Sequence, residues 1–173
     1  MQREISKLGF SRILPYTSRS PRRYEKNGAV YHFISEKNFF QLYQQGIFIE
    51  KASYKMDGGD VWHYGIAFED FKEDAVMIGN PRNLNGLSKY QSIYPFVVYL
   101  DTDENVIYDK LIRYYGNIGE AQRRMVQARE DFSNIGEFID YRMENDGRKE
   151  PGDLATEIRD AYEAYVAACL GVL

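Results

Sequence analysis

The chain has 173 residues, 44% hydrophobic and 28% charged, with a formal net charge of −4. That length suits one domain, or one domain with a small flap or lid, and it can bury a core without disulfides. The acidic balance, with a pI of about 5.3, excludes a global field that would draw the protein to nucleic acid, so any anion site must be local. No run of 18 apolar residues marks a membrane span, and MQREISKLGF lacks the apolar centre of a signal peptide. Cys169 is the single cysteine and cannot form an intramolecular disulfide; a soluble cytoplasmic protein is the expectation.

Residues 2–8 (QREISKL) are helix-compatible, with Gly9 as the stop. FSRILPY reads as a strand interrupted at Pro15, and a charged loop follows from Thr17 to Gly28. AVYHFI alternates, Val30, His32 and Ile34 pointing one way and Tyr31 and Phe33 the other. Ser35 caps the helix EKNFFQLYQQ, which Gly46 ends; Phe39, Leu42 and Tyr43 form its expected buried stripe. IFIEKASYKM is a strand, DGGD a tight turn, and VWHYGIAF the hairpin partner.

AVMIG reads as a short buried strand, and NLNGLSKYQ fits either a short helix or an irregular connection. PFVVYLD is the strongest strand. Thr102 and Asp103 can start the helix ENVIYDKLIRYY, ended at Gly116, and a longer helix runs from about Gly119 to Phe132. The tail carries an Asp153 cap and apolar residues at 154, 158, 161, 165 and 168, one face of a helix. This alternation predicts an α/β fold with a parallel core sheet and a hairpin-rich flap around residues 30–68.

Arg19, Arg22 and Arg23 crowd the loop ahead of the aromatic strand, with Arg12 upstream. Guanidinium forks bind phosphate through charge-assisted hydrogen bonds. The cluster is either a solvated basic loop or a phosphate site, and Pro21 with Thr17-Ser18 favours a fixed turn.

TSRSPRRYEKNGAVYHFIS, a short helix, and then GIFIEKASY resemble the nucleotide-binding flap of guanylate kinases. That family shows Thr-Thr-Arg-x-Pro-Arg, Glu-x-x-Gly-x-x-Tyr-x-Phe and Gly-x-Phe-hydrophobic-Glu in this order. VWHYG, VMIGN and RRMVQAREDFS extend the resemblance over roughly residues 2–146. It implies a P-loop-kinase-like three-layer α/β fold, a parallel sheet with helices plus a small β-rich flap. All 173 residues then form one domain: core 1–18 and 70–173, flap about 19–69, lid about 114–124. The implied activity is phosphoryl transfer from ATP to GMP, Mg2+ accompanying the ATP if the chain is active, with no nucleic-acid or membrane partner.

Carried onto this chain, the resemblance gives Arg19 and Arg22 the phosphate of GMP or a related monophosphate. Tyr31 and Tyr64 resemble flap tyrosines that bond the same phosphate. Glu50 matches the carboxylate that reads the N1–H and exocyclic amine of guanine, a pair adenine does not present. Asn80 stands for a guanine-side aspartate, Arg124 for the lid arginine that steadies transferring phosphates, and Arg123 is its near competitor. Arg124 also has a plainer reading as a helix cation paired to Glu120 or Asp131. Asn145-Asp146 resembles a pair near the donor base.

The departures are as specific as the matches. None of the 14 glycines begins a Gly-x-x-x-x-Gly-Lys-Ser/Thr run, and REISKLGF resembles the end of the helix that follows it. The first strand and phosphate loop are therefore expected to be absent. Pro15, Ile66 and Tyr115 replace a serine, a hydroxyl residue and an arginine of the family pattern. Two accounts fit: a truncated copy of an active kinase, or a kinase fold turned into a nucleotide- or protein-binding module. Activity of these residues is expected to be weak or absent.

Overall fold

The computed structural model describes residues 1–55, 59–87 and 89–171, Arg82 by its backbone alone. Two parallel ladders form the core: β1 (Ser11–Arg12) pairs with β6 (Ala75–Val76), and β7 (Val98–Asp101) with β8 (Tyr141–Glu144). Parallel neighbours need a long crossover. Between β1 and β6 the crossover is the whole flap; between β7 and β8 it holds the helical hairpin of α4 (Glu104–Tyr115) and α5 (Ile118–Asp131). The expected parallel sheet is thus present, among the described residues, as two separate ladders.

Helix α6 (Pro151–Leu170) joins them and packs on α1 (Gln2–Ser6). Its Tyr162 ring lies 5.3 Å from that of Phe10, just before β1, and 5.9 Å from Phe96, just before β7. The Tyr162 hydroxyl donates to Asp74 at 2.8 Å, and that bond, helped by burial, raises its pKa to about 12. One residue therefore ties both ladders to α6.

The flap carries the third sheet, in the order β3 (His32–Phe33), β2 (Tyr16–Thr17), β5 (Val61–Ala67), β4 (Phe48–Lys55). Its strands start at Tyr16, before the expected boundary at residue 19. Helix α2 (Glu36–Gln44) covers one face, capped by Ser35, whose Oγ accepts from Asn38 N. Gly46 ends α2 at φ +71, a left-handed turn that favours glycine. Phe39, Phe48 and Ala67 make the flap core, rimmed by Tyr16, Ile34, Leu42 and Ile47. Burying Phe39 and Phe48 contributes on the order of 1.5–3 kcal/mol each.

Most helices sit where capping and periodicity place them. Asp103 caps α4, Gly116 ends it at φ +62, and NLNGLSKYQ contributes to a short helix, α3 (Pro81–Leu87). Four details differ. Tyr43 is 45% exposed rather than buried, because the sheet meets α2 along Phe39 and Leu42; Tyr43 instead lies under the Lys51 ammonium, 4.3 Å from its ring centre. The AVMIG strand shrinks to Ala75–Val76 and is only half-buried, with Ile78 68% exposed.

There the α1 side chain of Gln2 donates to both Ile13 O and Val76 O at 3.1 Å and closes the ladder's end. Asp153 lies in the first turn of α6 rather than at its cap, since Pro151 takes the first helical position and Glu150 precedes it. The inward face of α6 fades after Ala161: Tyr165 is partly exposed and Ala168 exposed. The Asp57-Gly58 part of the expected DGGD turn lies outside the described residues.

Candidate nucleotide site in the flap

Directly opposed residues of an antiparallel ladder share a face, and the β4–β5 register sorts the flap into two. Ala52 opposes Tyr64 and Tyr54 opposes Trp62, giving one face; Lys51 opposes Gly65 and Ser53 opposes His63, giving the other, under α2. Phe48 opposes Ala67 on the α2 side, so simple alternation would put Glu50 there too. The register shifts between them, and Glu50 opposes Ile66. This irregularity turns Glu50 onto the face of Tyr64 and Trp62 while Phe48 stays in the core. Phe48 lies so close over β5 that a Cβ on Gly65 would sit 2.8 Å from its ring.

Glu50 meets α3 at the edge of the sheet. Its Oε2 accepts from Asn83 Nδ2 at 2.5 Å. Asn80 stands just before α3 and accepts from the Asn83 N–H at 3.2 Å through Oδ1. Asn83 Oδ1 accepts in return from Asn80 N at 2.8 Å, a reciprocal capping pair. The residue expected beside guanine therefore also starts this helix.

Arg19 is 5% exposed, an unusual depth for a free cation. Two bonds to Glu25, at 2.8 and 2.9 Å, neutralise it in a bidentate fork. Its guanidinium lies 5.5 Å from the Tyr31 ring centre, 5.3 Å from Phe33 and 5.8 Å from Trp62. Tyr64 lies against the same group, with its ring centre 5.8 Å from that of Tyr31. The Arg19 bonds hold the Glu25 carboxyl below the usual range against opposing burial, and the Arg22 N–H adds to them. Burial pushes the Tyr31 hydroxyl up. Arg19, Tyr31 and Tyr64 thus lie together, with Glu25 held on the Arg19 guanidinium.

Arg22 faces outward. It donates to the Tyr114 hydroxyl at 2.6 Å, linking the flap loop to the last turn of α4. The rings of Tyr114 and Tyr115 lie 4.8 Å apart, and the Arg124 guanidinium sits 5.4 Å from the Tyr115 ring centre. Arg123 and Arg124 both bond Glu120 at 2.8 Å and hold its pKa down to about 2. Arg124 thus pairs with Glu120, one of the two partners its plainer reading named, and Arg123 shares the same carboxylate. Asn145 bonds Thr102 Oγ1 at 3.1 Å, in the turn that follows β8.

Three residues of this arrangement escaped the sequence. Glu25 carried a signal, as the glutamate of the Glu-x-x-Gly element six positions after Arg19. Asn83 had a weaker one, three positions after the helix-starting Asn80. Tyr114 had none, since its partner lies 92 residues away.

Solved structures place the fold. The crystal structure of guanylate kinase from Anaplasma phagocytophilum superposes with a TM-score of 0.68 at 18% identity, covering 94% of this chain and 80% of that one. The fold is therefore that of a guanylate kinase. Residues 3–157 match the family described as guanylate kinase, and the chain belongs to it. Rat MAGUK p55 subfamily member 4 is 24% identical over 168 residues, which is 89% of this chain and 38% of that protein. Danio rerio MAGUK p55 subfamily member 7 is 40% identical over 63 residues, 36% of this chain and 10% of that one. The chain thus spans well under half the length of these curated relatives.

Guanylate kinases use ATP with Mg2+. Among the described residues no three His, Cys, Asp or Glu side chains cluster as a metal site. The 173 residues also contain no Gly-x-x-x-x-Gly-Lys-Ser/Thr run to cradle donor phosphates. No helix of the described residues is long and apolar enough to cross a membrane.

Proposed function

We propose that these residues form an acceptor-binding guanylate-kinase-like domain, taking up GMP or a related monophosphate in the flap and transferring phosphoryl from ATP weakly or not at all. One observation carries the reading: the register shift turns Glu50 onto the face of Tyr64 and Trp62, the two side chains that lie against Arg19. A carboxylate there can accept from N1–H and the exocyclic amine of guanine. Tyr31, Tyr64 and Arg22 supply hydroxyl and guanidinium donors to the phosphate, and Arg19 joins them to the extent that phosphate displaces Glu25.

Transfer requires the donor to be held in line, and side-chain charge does not replace a ring of backbone amides around its phosphates. Calorimetric titration should give tighter binding of GMP than AMP, and a coupled assay with Mg2+ and saturating ATP no GDP above the buffer control. Equal or undetectable binding of the two nucleotides overturns the acceptor site. Robust turnover abolished by Arg124→Ala overturns the inactivity.

The alternative within the same fold is a non-catalytic module whose groove takes a protein. The partnered state of its cations favours it: Arg19 on Glu25, Arg22 on Tyr114, Arg124 on Glu120. The same titration separates the two, since a protein-only groove has no preference for GMP. A cytoplasmic setting belongs to either proposal.

A further inference from the structure

Asn83, on α3, meets the flap at a position that no motif marks. Its orientation follows from its partners. Oδ1 accepts from the Asn80 N–H, so the other end of the amide must be the donor, and Nδ2 gives a hydrogen to Glu50 Oε2. The Asn83 N–H bonds Asn80 Oδ1, fixing the residue in the first turn of α3. One turn on, Gly86 clears the space: a Cβ there would sit 3.1 Å from Glu50 Cγ and 3.4 Å from Cδ. Helix α3 is the surface against which the carboxylate is laid.

A carboxylate reads guanine only when its plane lines up with N1–H and the exocyclic amine. A glutamate on an edge strand has several rotamers, and ordering one on binding costs free energy. An anchored carboxylate has already lost that freedom. Each carboxylate oxygen has two acceptor positions, so Oε2 can keep the Asn83 hydrogen and still receive one from a base.

We infer that Asn83 is the positioning residue for purine selectivity, acting through Glu50 by holding its carboxylate in the orientation that accepts the guanine edge. The inference rests on the acceptor-site reading of Glu50 proposed above. Asn83→Asp isolates the contact. It keeps an oxygen for the Asn80 N–H, so the start of α3 survives, but turns a carboxylate oxygen toward Glu50 and repels it.

NMR titrations of wild type, Asn83→Asp, Glu50→Gln and the double variant with GMP, AMP and ribose 5-phosphate test it. The GMP-over-AMP preference is expected to fall about tenfold in Asn83→Asp, roughly 1.4 kcal/mol. Ribose 5-phosphate binding should be unchanged, and Asn83→Asp should cost nothing further in the Glu50→Gln background. A wild type without preference removes Glu50 as base reader, and Asn83 with it. A wild-type preference that survives in Asn83→Asp overturns the role of Asn83 alone. Loss of ribose 5-phosphate binding, or full additivity with Glu50→Gln, makes Asn83 a merely structural residue and overturns the inference as well.

Discussion

Arg22 and Tyr114 meet across 92 residues of sequence, the guanidinium donating to the hydroxyl at 2.6 Å with its centre 5.8 Å from the ring centroid. The flap loop and the α4–α5 hairpin are thereby joined through an arginine that the family resemblance assigns to phosphate. Both side chains face solvent, so the bond holds a local geometry rather than the fold. Tyr114→Phe keeps the ring and removes the acceptor. Amide hydrogen exchange is expected to speed up in residues 20–26 while core protection stays unchanged; unaltered exchange in that loop would mean that the bond positions nothing.

Glu50→Gln should erode discrimination for guanine and leave the phosphate contacts alone. An amide presents one acceptor where a carboxylate presents two, and a hydrogen bond to a charged group is worth about 1.5–3 kcal/mol. The GMP:AMP affinity ratio is therefore expected to drop roughly tenfold or more. An unchanged ratio reduces Glu50 to an edge-strand carboxylate.

Gly65→Ala probes the flap core. The new Cβ would approach the Phe48 ring to 2.8 Å, and Phe48 is itself packed against Phe39 with ring centres 4.8 Å apart. Overpacking of this kind costs about 1–3 kcal/mol. Urea unfolding should show the loss as a lower midpoint at similar slope; an unshifted midpoint would mean that Phe48 yields freely.

Glu25→Gln tests the ion pair through pH. Arg19 depresses the folded-state pKa of Glu25, so the folded protein binds this proton less tightly than the unfolded chain. The pair's contribution is fully present above the ordinary glutamate value of about 4.3 and is lost as pH falls through the depressed value. The gap in urea midpoint between wild type and Glu25→Gln should be steady from about pH 7 to pH 5 and close below about pH 4. A gap that is constant to pH 3 would place the Glu25 contribution outside its charge.

Much of the secondary structure was legible because its signals are local. Ser35 with Gly46, and Asp103 with Gly116, bracket α2 and α4 by capping and left-handed turns, which depend on a few consecutive residues. The hairpin of β4 and β5 followed from two aromatic-rich runs around a glycine turn. Chain order and motif spacing also carried the family, since the spacing of the flap motifs survives without any knowledge of contacts.

The face on which Glu50 lies was not legible. Period-two alternation puts Phe48 and Glu50 on one side, and a register irregularity set by pairing with Ala67 and Ile66 separates them. The long-range partners of the charged groups were equally out of reach: Glu50 with Asn83, Arg22 with Tyr114. A side chain's type states what it can bond, but its partner depends on which groups packing brings within about 3 Å and how far it strips them of water. Residue order specified the elements of this chain and the kinds of chemistry available; strand register and long-range packing specified which carboxylate shares a face with Tyr64 and Trp62 and which arginines are already held.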